Sequence, residues 1–254
     1  MWFFEQGNPC GWFSWQHLLV CGIAWALLIF FAIFFGIRDR KHFVTLSHNK
    51  FLIACAILIW VGELSKYIVV IVFRGFSAML EVLPLFLCSL QLFTLPLICI
   101  TRGNFQKSMA DLTFVFGVVG AISGTFIGTE FTHNYAFSFF PLVSVFTHSV
   151  SGCASLYIGI AKLFTLSKET VWITPLTLSI FSCFAWIGSA YTPQNYMFLQ
   201  NADGTPFAIL YNIFNGNKIL YPISIIILQI LFLLFFYIVV YLIRKCIQRK
   251  KSKV

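Results

Sequence analysis

Seven apolar stretches, separated by short polar connections, constrain this chain more than any other feature. They lie near residues 14–36, 51–73, 80–101, 110–128, 138–163, 171–191 and 220–243. Each has the ~20 residues that an α-helix needs to cross a hydrocarbon core. Inside lipid every backbone N–H and C=O must be satisfied within the protein, so windows of this length specify helices. Charged residues make up 10% of the chain, against about a quarter in a soluble domain. The expected class is therefore all-α: a polytopic membrane protein of seven transmembrane helices in one integral membrane domain spanning 1–254.

The basic residues orient it. Loops 37–50 and 101–109, the 162–170 connection and the tail 244–254 hold 14 of the 17 lysines and arginines. Arg74 and Lys218 are the exceptions in the opposite loops, and Lys66 lies within a helix. Basic loops stay on the cytoplasmic side, which places the N-terminus outside and the C-terminus, with its basic tail, in the cytoplasm of a multi-pass cell-membrane protein. Positive charge follows the first helix at Arg38, Arg40 and Lys41 rather than preceding it, so that helix reads as retained rather than cleaved. Trp2, Trp12 and Trp15 suit the outer membrane–water boundary. The net charge of +9 is accounted for by topology and gives no reason to expect nucleic acid. The eight cysteines are scattered, with no C-x-x-C pair, and indicate neither a disulfide framework nor a zinc site. No metal or other cofactor is implied.

The apolar run Leu83-Pro-Leu-Phe-Leu-Cys-Ser-Leu-Gln91 carries a proline, a thiol, a hydroxyl and an amide where hydrocarbon offers none of them a partner. On a continuous helix Cys88 and Gln91 share a face. With ~1.5 Å of rise per residue as a ruler, Cys88 lies roughly 12 Å below the outer surface. His148, in the helix 138–163, and Glu63, in 51–73, fall at similar depth, and Lys66 lies one turn closer to the outside. Ser144, His148 and Gly152 recur at i+4, which turns His148 toward neighbouring helices. The prolines at 84 and 141 each free a backbone carbonyl near the outer end of their helices. Gly120, Gly124 and Gly128 form a small-residue stripe that suits close helix packing.

A thiol beside an imidazole can become a thiolate and carry an acyl group as a thioester. Cys88 is the candidate nucleophile and His148 the candidate base, with Glu63 as an orienting carboxylate. Gln91, Ser89 or Asn195 could donate to an oxyanion. His17, Lys66, Gln91, Asn195 and Tyr196 are the candidate substrate-binding residues. At this depth the reachable substrate is a phospholipid or fatty-acyl ester, so membrane lipids are the expected partners. The long connection 192–219 is rich in turn formers, including Pro193, Asp203-Gly204 and Asn215-Gly-Asn217, and reads as an external binding loop.

His17, Leu83-Pro-Leu-Phe-Leu-Cys-Ser89, Phe146-Thr-His148 and Asn195-Tyr-Met-Phe-Leu199 form an ordered set running from about residue 12 to 243. The set resembles the YwaF-like family of bacterial integral membrane proteins, which is similar in turn to the eukaryotic transmembrane ether-phospholipid acyltransferase. The resemblance implies six to seven membrane helices, and it maps a nucleophilic Cys and a His onto Cys88 and His148. Phe86 departs from the pattern, which often has a polar residue there. Three functional classes stay open at this point. One is a Cys/His acyltransferase or lipid-ester enzyme. Another is a small-solute or proton-coupled transporter using Glu63, Lys66 and His148. The third is a non-catalytic sensor or scaffold.

Overall fold

The structure, a computed structural model, describes residues 3–4, 9–202 and 204–251, so Trp2, Asp203 and the last three residues of the tail lie outside the described part. Among the described residues there are helices and turns but no strands. The long helices are α1 (Trp15–Lys41), α2 (Lys50–Arg74), α4 (Gly103–Phe126), α6 (Phe139–Ile160), α7 (Ile173–Tyr191) and α9 (Leu220–Lys251). Shorter ones are α3 (Gln91–Ile100), α5 (Glu130–His133) and α8 (Ala208–Ile213). Six segments are long and apolar enough to span a membrane. The chain is a multi-pass membrane protein in a lipid environment.

The segment expected as a continuous helix over 80–101 is broken. A 3₁₀ turn (Phe76–Val82) and a second one (Leu87–Leu90) leading into α3 meet at a 97° bend. Sequence explains the break. Pro84 lacks an N–H and drives the preceding residue out of the helical region, and Leu83 sits at φ −59, ψ 142. Phe86 is also extended, at φ −75, ψ 156, so Cys88 emerges at the start of a new helical turn rather than in mid-helix. The Leu80 carbonyl freed by Pro84 accepts a hydrogen bond from the Tyr196 hydroxyl at 3.3 Å. Likewise Pro96, inside α3, frees the carbonyl of Leu92, which accepts from the Trp60 indole of α2 at 2.7 Å. Each proline creates a polar need, and a neighbouring aromatic side chain meets it.

Helix ends follow local chemistry. Ser14 and Asn49 cap α1 and α2 by accepting from His17 N and Leu52 N. Gly75, at φ 85, stops α2 in a conformation that side chains resist. α4 begins at Gly103, a full two turns before the expected 110, and α9 runs on through the basic segment to Lys251.

The core forms where α4 and α6 meet through small residues. A Cβ on Gly117 would lie 2.6 Å from Ser155 Cβ, and one on Gly152 would lie 2.8 Å from Ala121 Cβ. Toward the basic end, Asp111 is fully buried in α4. Its carboxylate accepts from Thr165 N at 2.7 Å, Leu166 N at 3.0 Å and Thr170 Oγ1 at 2.8 Å, pinning the α6–α7 connection to the bundle. Asp39 and Asn49 converge on the Tyr157 hydroxyl at 2.7 and 2.6 Å and tie α1, α2 and α6 together.

Candidate active site

Cys88 and His148 meet on α4. Cys88 leaves the bend in the 3₁₀ turn 87–90, and His148 projects from α6. Gly120 receives the first: an added Cβ would lie 3.1 Å from Cys88 Cα and 3.2 Å from its Cβ. Gly124, one turn on, receives the second. Its added Cβ would lie 2.6 Å from His148 Cγ and would overlap the Nε2–Cδ2 edge of the ring. The glycine stripe does pack helices, as small residues at i+4 should. It also sets the thiol and the imidazole one helical turn apart on a common wall. The α2 side closes in at the same level, where a Cβ on Gly62 would be 2.6 Å from Thr147 Cγ2.

The tautomer of His148 follows from its partners. Nδ1 lies 2.7 Å from the carbonyl oxygen of Ser144. A carbonyl only accepts, so Nδ1 carries the proton and donates, and Nε2 of the neutral ring keeps its lone pair. The Cys88 thiol lies within interaction reach of this ring, with the Ser89 hydroxyl beside it. Both residues are only partly buried, whereas Cys21, Cys55 and Cys153 are sealed in the core.

Glu63, expected to orient His148, is engaged elsewhere. Its carboxylate pairs with Lys66 Nζ at 2.7 Å on the same helix, and Tyr67 adjoins it. The orienting acceptor is the Ser144 carbonyl instead. Lys66 is partly exposed and lies within electrostatic range of Cys88, His148 and Glu130. Glu130, from the short α5, was not among the residues singled out from sequence. Its carboxylate also accepts from Asn134 Nδ2 at 3.2 Å. The available signal was an acidic residue in the short connection after the glycine stripe, one of only eight Asp and Glu in the chain.

Gln91 begins α3 and is fully buried. Thr113 Oγ1 donates to Thr94 Oγ1, and Thr94 Oγ1 donates to Gln91 Oε1, each at 2.8 Å. That chain fixes the amide, and its Nε2 has no acceptor among the described residues. A buried donor without an acceptor is costly.

The remaining candidates are braces. Tyr196 is fully buried; its ring meets Phe86 edge-on at 4.9 Å, and its N–H donates to Ser189 Oγ at 2.8 Å. This aromatic contact accounts for an apolar residue at 86. Asn195 Nδ2 donates to the Asn201 carbonyl at 2.8 Å, and its Oδ1 accepts from Gln200 N, closing the loop after α7. His17 is fully buried. Its Nδ1 accepts from Phe13 N at 2.9 Å and its Nε2 donates to the Thr125 carbonyl at 2.8 Å. Nε2 joins α1 to α4 and Nδ1 ties down the turn before α1, so both nitrogens are engaged within the protein.

Comparison with known proteins agrees with a transmembrane family. No curated protein matches the chain, and no solved structure matches it. Residues 12–240 match the TMEM164 family, a span that takes in the bend, the glycine wall and every long helix through most of α9; the chain belongs to the TMEM164 family.

Proposed function

We propose that this protein is a membrane-embedded acyltransferase or lipid-ester enzyme in which Cys88 is the nucleophile and His148 the general base. One observation carries the reading: the thiol of Cys88 lies in reach of an imidazole whose Nδ1 proton is held by Ser144, leaving Nε2 to act as base. The resemblance of the ordered motif set to the YwaF-like family, and through it to an ether-phospholipid acyltransferase, points the same way.

The chemistry balances with these groups alone. His148 Nε2 takes the thiol proton of Cys88, and the thiolate attacks the carbonyl carbon of a phospholipid ester. The tetrahedral oxyanion accepts from the Gln91 amide, the otherwise unpartnered donor. As the intermediate collapses, the lysolipid alkoxide leaves with the proton from Nε2, and the acyl group remains as a Cys88 thioester. A second lysolipid hydroxyl then gives its proton to Nε2 and attacks the thioester, and the departing thiolate is reprotonated. Lys66 supplies a cation near the pair, balanced by Glu63 and Glu130.

The site lies in the half of the bundle away from the basic loops, since Gly120 and Gly124 are near the far end of a helix that starts at Gly103. By the charge rule that half faces the outer leaflet. Purified protein reconstituted with a phospholipid and a labelled lysolipid should transfer the acyl chain. Cys88→Ala and His148→Ala should each abolish transfer while preserving the fold. Transfer that survives Cys88→Ala would exclude the thiol route. If instead pH-dependent solute flux is lost in Glu63→Gln and kept in Cys88→Ala, the transporter reading replaces this one.

A further inference from the structure

Two clefts adjoin at the opposite end of the molecule. α1 runs from His17, tied to Thr125 beside the candidate site, to Lys41, a rise of about 36 Å. Where it ends, one cleft of about 460 Å³ is walled by Phe30, Ile33, Phe34 and Ile37. Those four fall on one stripe of the helix, i, i+3, i+4 and i+7. Arg38, Lys41 and His42 form its rim. The second cleft, about 840 Å³, shares Ile37 and Lys41 and adds Arg40, Phe43 and Lys162. Together they make a continuous feature: an exposed apolar stripe of α1 that runs onto a basic mouth between the ends of α1 and α6.

The charges at that mouth are unmatched. Arg38 pairs with Asp39 and lies over the Phe35 ring. Arg40, Lys41 and Lys162 are exposed, and among the described residues none has an acidic partner. Three cations held together repel one another unless an anion joins them. Phe43 is 89% exposed. Both Phe43 and Lys162 adopt left-handed backbone conformations, φ 52 and φ 58, that non-glycine residues seldom hold. An exposed aromatic ring beside clustered cations at a helix end is the composition of a membrane-interface lipid contact.

We infer that this double cleft binds one anionic phospholipid of the leaflet that meets the basic loops, its phosphate at Arg40, Lys41 and Lys162 and an acyl chain along Phe30–Ile37. The occupant follows from complementarity in both parts. A soluble anion would satisfy the mouth and make no use of the adjoining apolar stripe, and a zwitterionic lipid would cover the stripe and leave the mouth net positive. The site is separate from Cys88 and His148, and its occupancy is independent of the proposed acyl chemistry.

Native mass spectrometry of the purified full chain, with equimolar phosphatidylglycerol and phosphatidylcholine of identical acyl chains, tests this. Wild-type protein should retain phosphatidylglycerol in preference, each cation contributing about fivefold. The triple variant Arg40→Gln/Lys41→Gln/Lys162→Gln should lose at least about tenfold of that preference. A matched variant, Lys50→Gln/Arg102→Gln/Lys168→Gln, removes the same charge from the same face outside the cleft and should keep it. Glycerol phosphate added to the wild-type complex should not displace the lipid. Equal losses in the two triple variants would reduce the effect to general surface charge and overturn the proposal. Displacement by glycerol phosphate as efficient as by lipid would overturn it too, since the site would then bind a soluble anion.

Discussion

Gly124→Ala should disable the candidate site with a modest cost to the fold. The added methyl would sit 2.6 Å from His148 Cγ and overlap the Nε2 edge of the ring. Ordinary carbon contacts lie at about 3.5–4.0 Å, and the Nε2–Cδ2 edge is closer than Cγ, so the imidazole must retreat by more than about 1 Å. It cannot do so freely, because Nδ1 is held at 2.7 Å by the Ser144 carbonyl on its own helix. A displacement of that size costs about 100-fold in a positioned reaction, whereas overpacking of this kind costs about 1–3 kcal/mol of stability. Gly120→Ala is the graded control: its methyl would meet Cys88 Cβ at 3.2 Å, a clash relieved by a few tenths of an ångström. The assay is peptide-resolved alkylation of Cys88 by iodoacetamide, which reports the thiolate available, read beside lipid turnover and thermal unfolding in detergent. In Gly124→Ala, alkylation should slow at least about tenfold, and in Gly120→Ala far less. A folded Gly124→Ala protein with alkylation and turnover within about twofold of wild type would show that the imidazole is not seated on this glycine.

Other perturbations separate the parts of the account. Glu63→Gln strands the Lys66 ammonium and should cost about 3 kcal/mol of stability, while Glu63→Gln/Lys66→Met should recover most of it, both read by thermal denaturation. Tyr196→Ala removes the ring that props Phe86 and should lose about 3–5 kcal/mol together with turnover. Tyr196→Phe keeps the ring, gives up the hydroxyl's hydrogen bonds, among them the 3.3 Å bond to the Leu80 carbonyl, and should cost about 1 kcal/mol. Asp111→Ala orphans two backbone N–H groups of the α6–α7 connection, and it should destabilise the protein by at least about 3 kcal/mol with early hydrogen exchange at residues 165–170.

Much of this organisation is legible in the chain. Apolar windows and loop charges locate the long helices, and a rise-per-residue ruler brings Cys88 and His148 to one level because both helices start from the same face. The ruler assumes a straight helix from residue 80, which the 97° bend breaks; Cys88 nonetheless meets the level of His148 because Gly120 and Gly124 of α4 seat the two one turn apart. What it misses depends on side-chain direction and local backbone. Pro84 announces a break through the extended conformation it imposes on Leu83, yet the unbroken apolar run around it conceals a 97° turn. Glu63 and His148 share a depth, but pairing is decided by which face each presents, and an i+3 lysine claims the carboxylate first. His17 has the residue type of a mouth-lining base, while only the fold reveals that Thr125 and Phe13 occupy both nitrogens. A glycine stripe reports close approach without naming what approaches, so the seats for Cys88 and His148 stay hidden until the bend is placed.

The thioester itself is the most direct test. Protein mixed with a phospholipid of one defined acyl chain, quenched in acid and digested, should yield a peptide containing Cys88 that carries the mass of that chain. Hydroxylamine should remove the adduct, and His148→Ala protein should fail to form it. Efficient acyl transfer by wild-type protein with no adduct on Cys88 at any time, matched by equal transfer in Cys88→Ala, would contradict the account.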